Sequence, residues 1–214
     1  MTLVDVAPDS GSASPSRRGG LQWVVGVLVA VTLVVGAALV SAAYYYDGVP
    51  VPNPAAPSYP VVPVTDLPPP VANALVAAVD PDFYTSGGTV LTSSLITRRY
   101  LAIASGTEAG EVDSWRVRVM ADKFGDMYTQ TEILGFYLNS ADYGRGAVGL
   151  VAAAQAYFQK PAARLSVAEA ALLGLRLDPD RPASQAGWEQ VLDTMVERGW
   201  LSRAERGKLA FPTF

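Results

Sequence analysis

From Trp23 to Ala43 the chain carries no charged side chain, and nowhere else does it run so far without one. At about 1.5 Å per residue a helical run of that length crosses the roughly 30 Å hydrocarbon core of a bilayer, so residues 21–46 are predicted to form one transmembrane helix. Trp23 at one end and Tyr44, Tyr45 and Tyr46 at the other take the places of interfacial aromatic belts, while Arg17 and Arg18 precede the run and no Lys or Arg closely follows it. That asymmetry puts residues 1–20 in the cytoplasm and the remainder outside. The small residues VSAA at 40–43 would also suit a cleavage site, but an apolar region of about 20 residues is long for a signal peptide, and an uncleaved anchor is expected. A buried core helix would need the polar face that this segment lacks.

Beyond the apolar run the pattern changes twice. Residues 1–20 include DSGSASPSRRGG, without apolar periodicity, and read as a disordered tail. Residues 47–63, DGVPVPNPAAPSYPVVP, place proline at nearly every third position, which predicts an extended, unpacked, semi-rigid spacer. From 64 to 214 the pattern predicts one mainly helical domain. An apolar helix is expected over 71–79 and an Ala-rich one over 147–158, and TQTE at 129–132, SVAE at 166–169 and SRAE at 202–205 are capping boxes that start three more. In each box the glutamate (Glu132, Glu169, Glu205) has a structural task. The stretch 89–97, TVLTSSLIT, is ambiguous between strand and helix, and no segment alternates convincingly.

Composition then narrows the chemistry. With 214 residues, 50% of them apolar, the chain holds one globular core and an appendage. A formal net charge of −4 offers no footprint for nucleic acid. There is no cysteine and no histidine, which removes disulfides, thiolate nucleophiles, Cys/His zinc sites and imidazole relays. Acid–base work would fall to carboxylates, lysine or tyrosine, no metal site or cofactor motif is legible, and scattered acids read as surface charge.

The order TDLPPPVANALVAAVDPDFYTSGG, SLIT, ILGFYLNSADYGRGAVGLVAAAQAYFQKPAARLSVAEAALLGL and VLDTMVERGWLS resembles the peptidoglycan glycosyltransferase family over roughly residues 64–205. These enzymes, alone or as the first domain of class A penicillin-binding proteins, polymerise lipid II into glycan strands. The block 133–173 carries the resemblance best, with Tyr137, Leu138, Asn139, Gly144, Gly149, Tyr157, Phe158 and Glu169 among its matching positions. The resemblance implies a lysozyme-like helical fold behind a single membrane anchor, with a lipid-linked precursor or glycan strand, the membrane and other wall-synthesis proteins as partners. It also implies a chemistry: a glutamate takes the proton from an attacking sugar hydroxyl, and cations receive the departing pyrophosphate.

The charged chemistry of that pattern is lost at four places, while the aspartate of its first motif is kept as Asp80. The family's first motif, Glu-Asp-x-x-Phe-x-x-His-x-Gly, reads here as Val79, Asp80, Pro81, Asp82, Phe83, Tyr84, Thr85, Ser86, Gly87 and Gly88. The second, Ser-Thr-Ile-Thr-Gln-Gln, reads as Ser94, Leu95, Ile96, Thr97, Arg98 and Arg99. In the third, the second catalytic glutamate corresponds to Val117 or Met120, and the paired arginines of the last correspond to Gly187 and Trp188. Valine accepts no proton at any pH, and loss of one principal acid or base alone costs about 10²–10⁴-fold in rate. The expectation is a catalytically degenerate member that binds lipid-linked precursor or glycan, or scaffolds wall synthesis. The alternative is an active enzyme whose base has moved to Asp80 or Asp82, although Asp-Pro-Asp better suits a helix cap or a Pro turn, with Asp122 either near the second catalytic position or, by preference, solvent-exposed on a helix. A lysozyme-like wall hydrolase, which also needs carboxylates, ranks third. The resemblance places substrate contacts at Asp80, Ser94, Thr97, Arg98, Arg99, Arg116 and Asn139. Arg98, Arg99, Arg116 and Arg118 are suited to phosphate oxygens, or equally form a solvated helix face beside Glu108 and Glu111.

Overall fold

The computed structural model describes residues 17–87, 89–107, 111–178 and 181–213. The expected disordered tail lies, up to residue 16, outside the described residues, as do Gly88 and Glu108 of the sequence reading. Two compact units are present, Met1–Gly48 and Val49–Phe214.

The described residues of the first unit form the helix α1 (Arg17–Gly48), which starts four residues before the expected span and ends two after it. Its stretch Gln22–Gly48, 27 residues, is long and apolar enough to cross a membrane. Trp23 and Tyr44 are among its exposed side chains.

The second unit is helical, and its only bridge between extended residues among those described joins Asp142 to Val148. Its helices are α2 (Pro69–Val79), α3 (Leu95–Ser105), α4 (Trp115–Met127), α5 (Gln130–Ser140), α6 (Leu150–Phe158), α7 (Val167–Arg176), α8 (Gln185–Glu197) and the single turn α9 (Arg203–Arg206). Pro69 and Pro70 start α2, where the missing N–H groups would have had no partner in any case. From Ala74 to Val79 every residue of α2 is buried, which makes it the central helix. It packs on α7 at Gly174, where a Cβ would come within 2.5 Å of the Ala78 Cβ.

Ser94, Ser114 and Ser184 cap α3, α4 and α8, each hydroxyl accepting from the amide three residues on. All three capping boxes of the sequence reading form, at Thr129/Glu132, Ser166/Glu169 and Ser202/Glu205. The ambiguous stretch 89–97 is a turn followed by the first residues of α3. The Ala-rich helix starts at Leu150 rather than 147, because Gly149 sits at φ 84° with its α-carbon facing the Asn139 carbonyl, a conformation that α-helix excludes.

The Pro-rich segment departs from expectation. It is extended, but it packs on the domain it was expected to hold at a distance: Val49 and Val62 are buried, Lys123 Nζ donates to the Val49 carbonyl at 2.9 Å, and Tyr59 Oη donates to the Asn139 carbonyl at 2.9 Å. Proline-fixed backbone loses little entropy on docking, and the valines and Tyr59 between the prolines supply the apolar contacts.

Candidate functional site

The positions that the motifs single out are spread over the end of α2, the start of α3, α4 and the start of α8, and Asp80 links the first two of these. Val79, at the base position, is 6% exposed in the last turn of α2. Asp80 follows as the C-cap, itself buried, and its Oδ2 accepts from the amides of Leu95 at 2.7 Å and Ile96 at 3.3 Å. Those are the first two amides of α3, which lack partners within the helix, and the carboxylate also faces the positive end of the α3 dipole. Asp80 therefore joins two helices. Asp82 lies outside this junction, exposed and paired with Arg198.

Val117 and Met120 are 0% and 1% exposed. Whichever of them takes the place of the second acid, the side chain belongs to the core. Trp188, at one of the last motif's arginine positions, is also a core residue, its indole N–H donating to the Ala168 carbonyl at 2.9 Å. At neighbouring Gly187 a Cβ would stand 3.0 Å from the Pro182 carbonyl oxygen.

The arginines do not converge as a group of four. Arg98 and Arg118 meet on one carboxylate oxygen, Asp113 Oδ1, at 3.1 and 3.0 Å, and Arg98 also donates to the Ser93 carbonyl. Burial pushes the Arg98 pKa down, with Asp113 working against that shift. Arg99 points the other way, donating to the Leu177 carbonyl at 3.0 Å and to Asp178 at 3.1 Å, and so ties α3 to the end of α7. Arg116 is exposed. Asn139 is buried and its amide is fully engaged: Oδ1 accepts from Val62 N–H, and Nδ2 donates to the carbonyls of Val62 and Gly135. It holds the Pro-rich segment on α5.

Ser94 and Thr97, by contrast, do line a cleft. Their hydroxyls are 2.7 Å apart, at the edge of a space of about 270 Å³ bounded also by Phe83, Ser86, Ser93, Asp122, Asp126 and Tyr128. Asp122 was legible as a stand-in acid; Asp126 and Ser93 were not singled out. Asp126 repeats Asp122 at four residues, the spacing that puts two side chains on one helix face, and that signal would have found it. Nothing in the sequence marks Asp113 as the shared partner of two arginines, since that pairing crosses from the turn before α4 to α3.

The described structure is thus a helical domain with a polar cleft, preceded in the chain by an apolar helix long enough to cross a membrane. The transglycosylase family model matches residues 112–196. Penicillin-binding protein 1A of Mycolicibacterium smegmatis is 34% identical over 182 residues, covering 71% of this chain and 23% of that protein. The Mycobacterium tuberculosis protein of the same name is 33% identical over 179 residues, covering 70% and 22%. A biosynthetic peptidoglycan transglycosylase of Salmonella paratyphi B is 57% identical over 47 residues, 22% of this chain and 19% of that one. The chain belongs to the peptidoglycan glycosyltransferase family, and it spans less than a quarter of the length of these relatives.

Proposed function

We propose that this protein is a membrane-anchored, catalytically impaired peptidoglycan glycosyltransferase that binds lipid-linked precursor or nascent glycan in wall synthesis. In this reading residues 1–20 are cytoplasmic, α1 is the anchor, and the helical domain faces the cell wall, where it also contacts other wall-synthesis proteins. The supporting observation is the state of Asp80: the position beside it carries no ionisable group, and its own Oδ2 is occupied by two α3 amides. Proton abstraction requires a carboxylate within hydrogen-bond reach of the acceptor hydroxyl. Asp82 is paired with Arg198, and both positions matched to the second glutamate are buried and apolar.

Labelled lipid II incubated with the detergent-solubilised full chain tests this reading. The expected result is lipid II binding without glycan chains. Polymerisation would overturn it and would point to Asp122 or Asp126, the carboxylates that line the cleft.

A further inference from the structure

The Pro-rich segment and α5 bound a groove of about 500 Å³, within the roughly 300–1,000 Å³ of ordinary small-molecule sites. It shares no described lining residue with the cleft beside Ser94 and Thr97. From α5 it takes two adjoining rows at four-residue spacing, Thr131, Gly135 and Asn139 beside Glu132, Phe136 and Ser140, which lie on one helix face. The segment supplies Pro54, Ala55, Ala56 and Pro57 from one stretch and Val61 to Thr65 from another. Ala55, Ala56, Pro57 and Val61 are exposed, so apolar surface faces solvent here, and covering it is favoured in proportion to the area removed from water.

The groove is held in shape from both sides. Phe136 stacks on Tyr100 with the ring centroids 5.6 Å apart and meets Tyr128 edge-to-face at 5.3 Å. Opposite these rings, Asn139 binds both backbone groups of Val62. Gly135 keeps the two sides apart: a Cβ there would lie 3.6 Å from Val64 Cγ2, so a longer side chain would grow into the groove.

We propose that this groove takes an acyl chain of a zwitterionic membrane phospholipid. Glu132 is the one charged group among the described lining residues, so a fatty-acid carboxylate or an anionic head beside it is repelled, whereas the ammonium of a zwitterionic head is attracted. The Asn139 amide is already filled by Val62 and Gly135, so a sugar or peptide would bury polar groups that lack partners. A hydrocarbon chain has none to satisfy. Lipid is also within reach of the covalent chain. Val49, the residue after Gly48, is buried in the helical domain, and Pro54 is six residues beyond Gly48, at most about 22 Å even when fully extended. Gly48 ends the stretch that is long and apolar enough to cross a membrane. The proposal rests on the reading of α1 as the membrane anchor and does not depend on lipid II binding or transfer activity.

The test is photo-cross-linking of the full chain in phosphatidylcholine nanodiscs that contain a phosphatidylcholine probe with a diazirine at the end of one acyl chain, the sites being read by mass spectrometry. A chain end stays near the bilayer centre unless the chain leaves the bilayer, so contact of the domain with lipid heads alone does not give this label. Label should appear on α1 and on peptides covering 54–65 and 131–140. Ala56→Trp, at an exposed position, fills the groove from the segment, and Gly135→Leu fills it from α5. Each should cut the groove label about tenfold and leave the α1 label unchanged. The proposal is wrong if α1 is labelled and the groove is not, if both variants keep the groove label, or if a phosphatidylglycerol probe of the same chain length labels the groove equally. Groove label without α1 label removes only the anchor reading, and absence of both removes both.

Discussion

The carboxylate of Asp80 accepts a hydrogen bond from the Leu95 amide at 2.7 Å, so the acid beside Val79 holds the start of α3. Replacing Asp80 by Ala would leave buried amides of α3 without partners, a loss of about 1–3 kcal/mol. A lowered urea midpoint, with lipid II turnover absent in both proteins, is the expected outcome. Turnover in the wild type that disappears in the variant at unchanged stability would instead make Asp80 a base.

On the proposed reading, a carboxylate at position 79 should not by itself produce transferase activity. Val79→Glu places a carboxylate at a position 6% exposed, where burying an unpaired ionised group is strongly unfavourable, and the matched second positions, Val117 and Met120, remain apolar. The variant should melt several degrees lower and make no glycan. Chain formation by Val79→Glu would show that one carboxylate suffices in this scaffold.

The α2–α7 crossing is set by the absence of one carbon. Gly174→Ala would bring a methyl within 2.5 Å of the Ala78 Cβ and 3.3 Å of the Leu75 backbone. Overpacking of this kind costs about 1–3 kcal/mol, and calorimetry should record a corresponding drop in Tm. An unchanged Tm would mean that the two helices separate freely.

Asn139 gives the Pro-rich segment its attachment. Without its amide the N–H and C=O of Val62 lose their partners, so Asn139→Ala should make residues 49–63 sensitive to protease at concentrations that spare the wild type. Equal cleavage of both proteins would show that Tyr59 and the buried valines suffice.

Much of the fold could be read from local pattern. The three capping boxes are contained within four residues each, and all three form. The apolar run that became α1 needs no partner to be recognised. What local pattern missed depends on distant partners: Asn139 resembles a ligand contact until Val62, 77 residues earlier in the chain, is seen filling its amide, and the prolines of 47–63 conceal the valines that dock them. The arginines were legible as cations, but the directions of Arg98 and Arg99 are decided by Asp113 and Asp178, whose placement follows from tertiary packing.

The capping glutamates also make stability depend on pH at the acid end. Burial raises the pKa of Glu169, but hydrogen bonds from Lys160 and Ser166 outweigh that effect and hold it below its ordinary value of 4.5. Glu132 is shifted the same way by the Thr129 backbone and hydroxyl, and Glu205 by the hydroxyl and backbone of Ser202. A carboxylate whose folded pKa is depressed contributes fully above its unfolded value and loses that contribution as pH falls through the folded one. The stability difference between the wild type and Glu169→Gln should therefore be present at neutral pH and shrink as the pH drops below about 4.5. Urea midpoints measured between neutral and strongly acidic pH check this. A difference that persists undiminished in strong acid would assign the loss to packing of the side chain rather than to its charge.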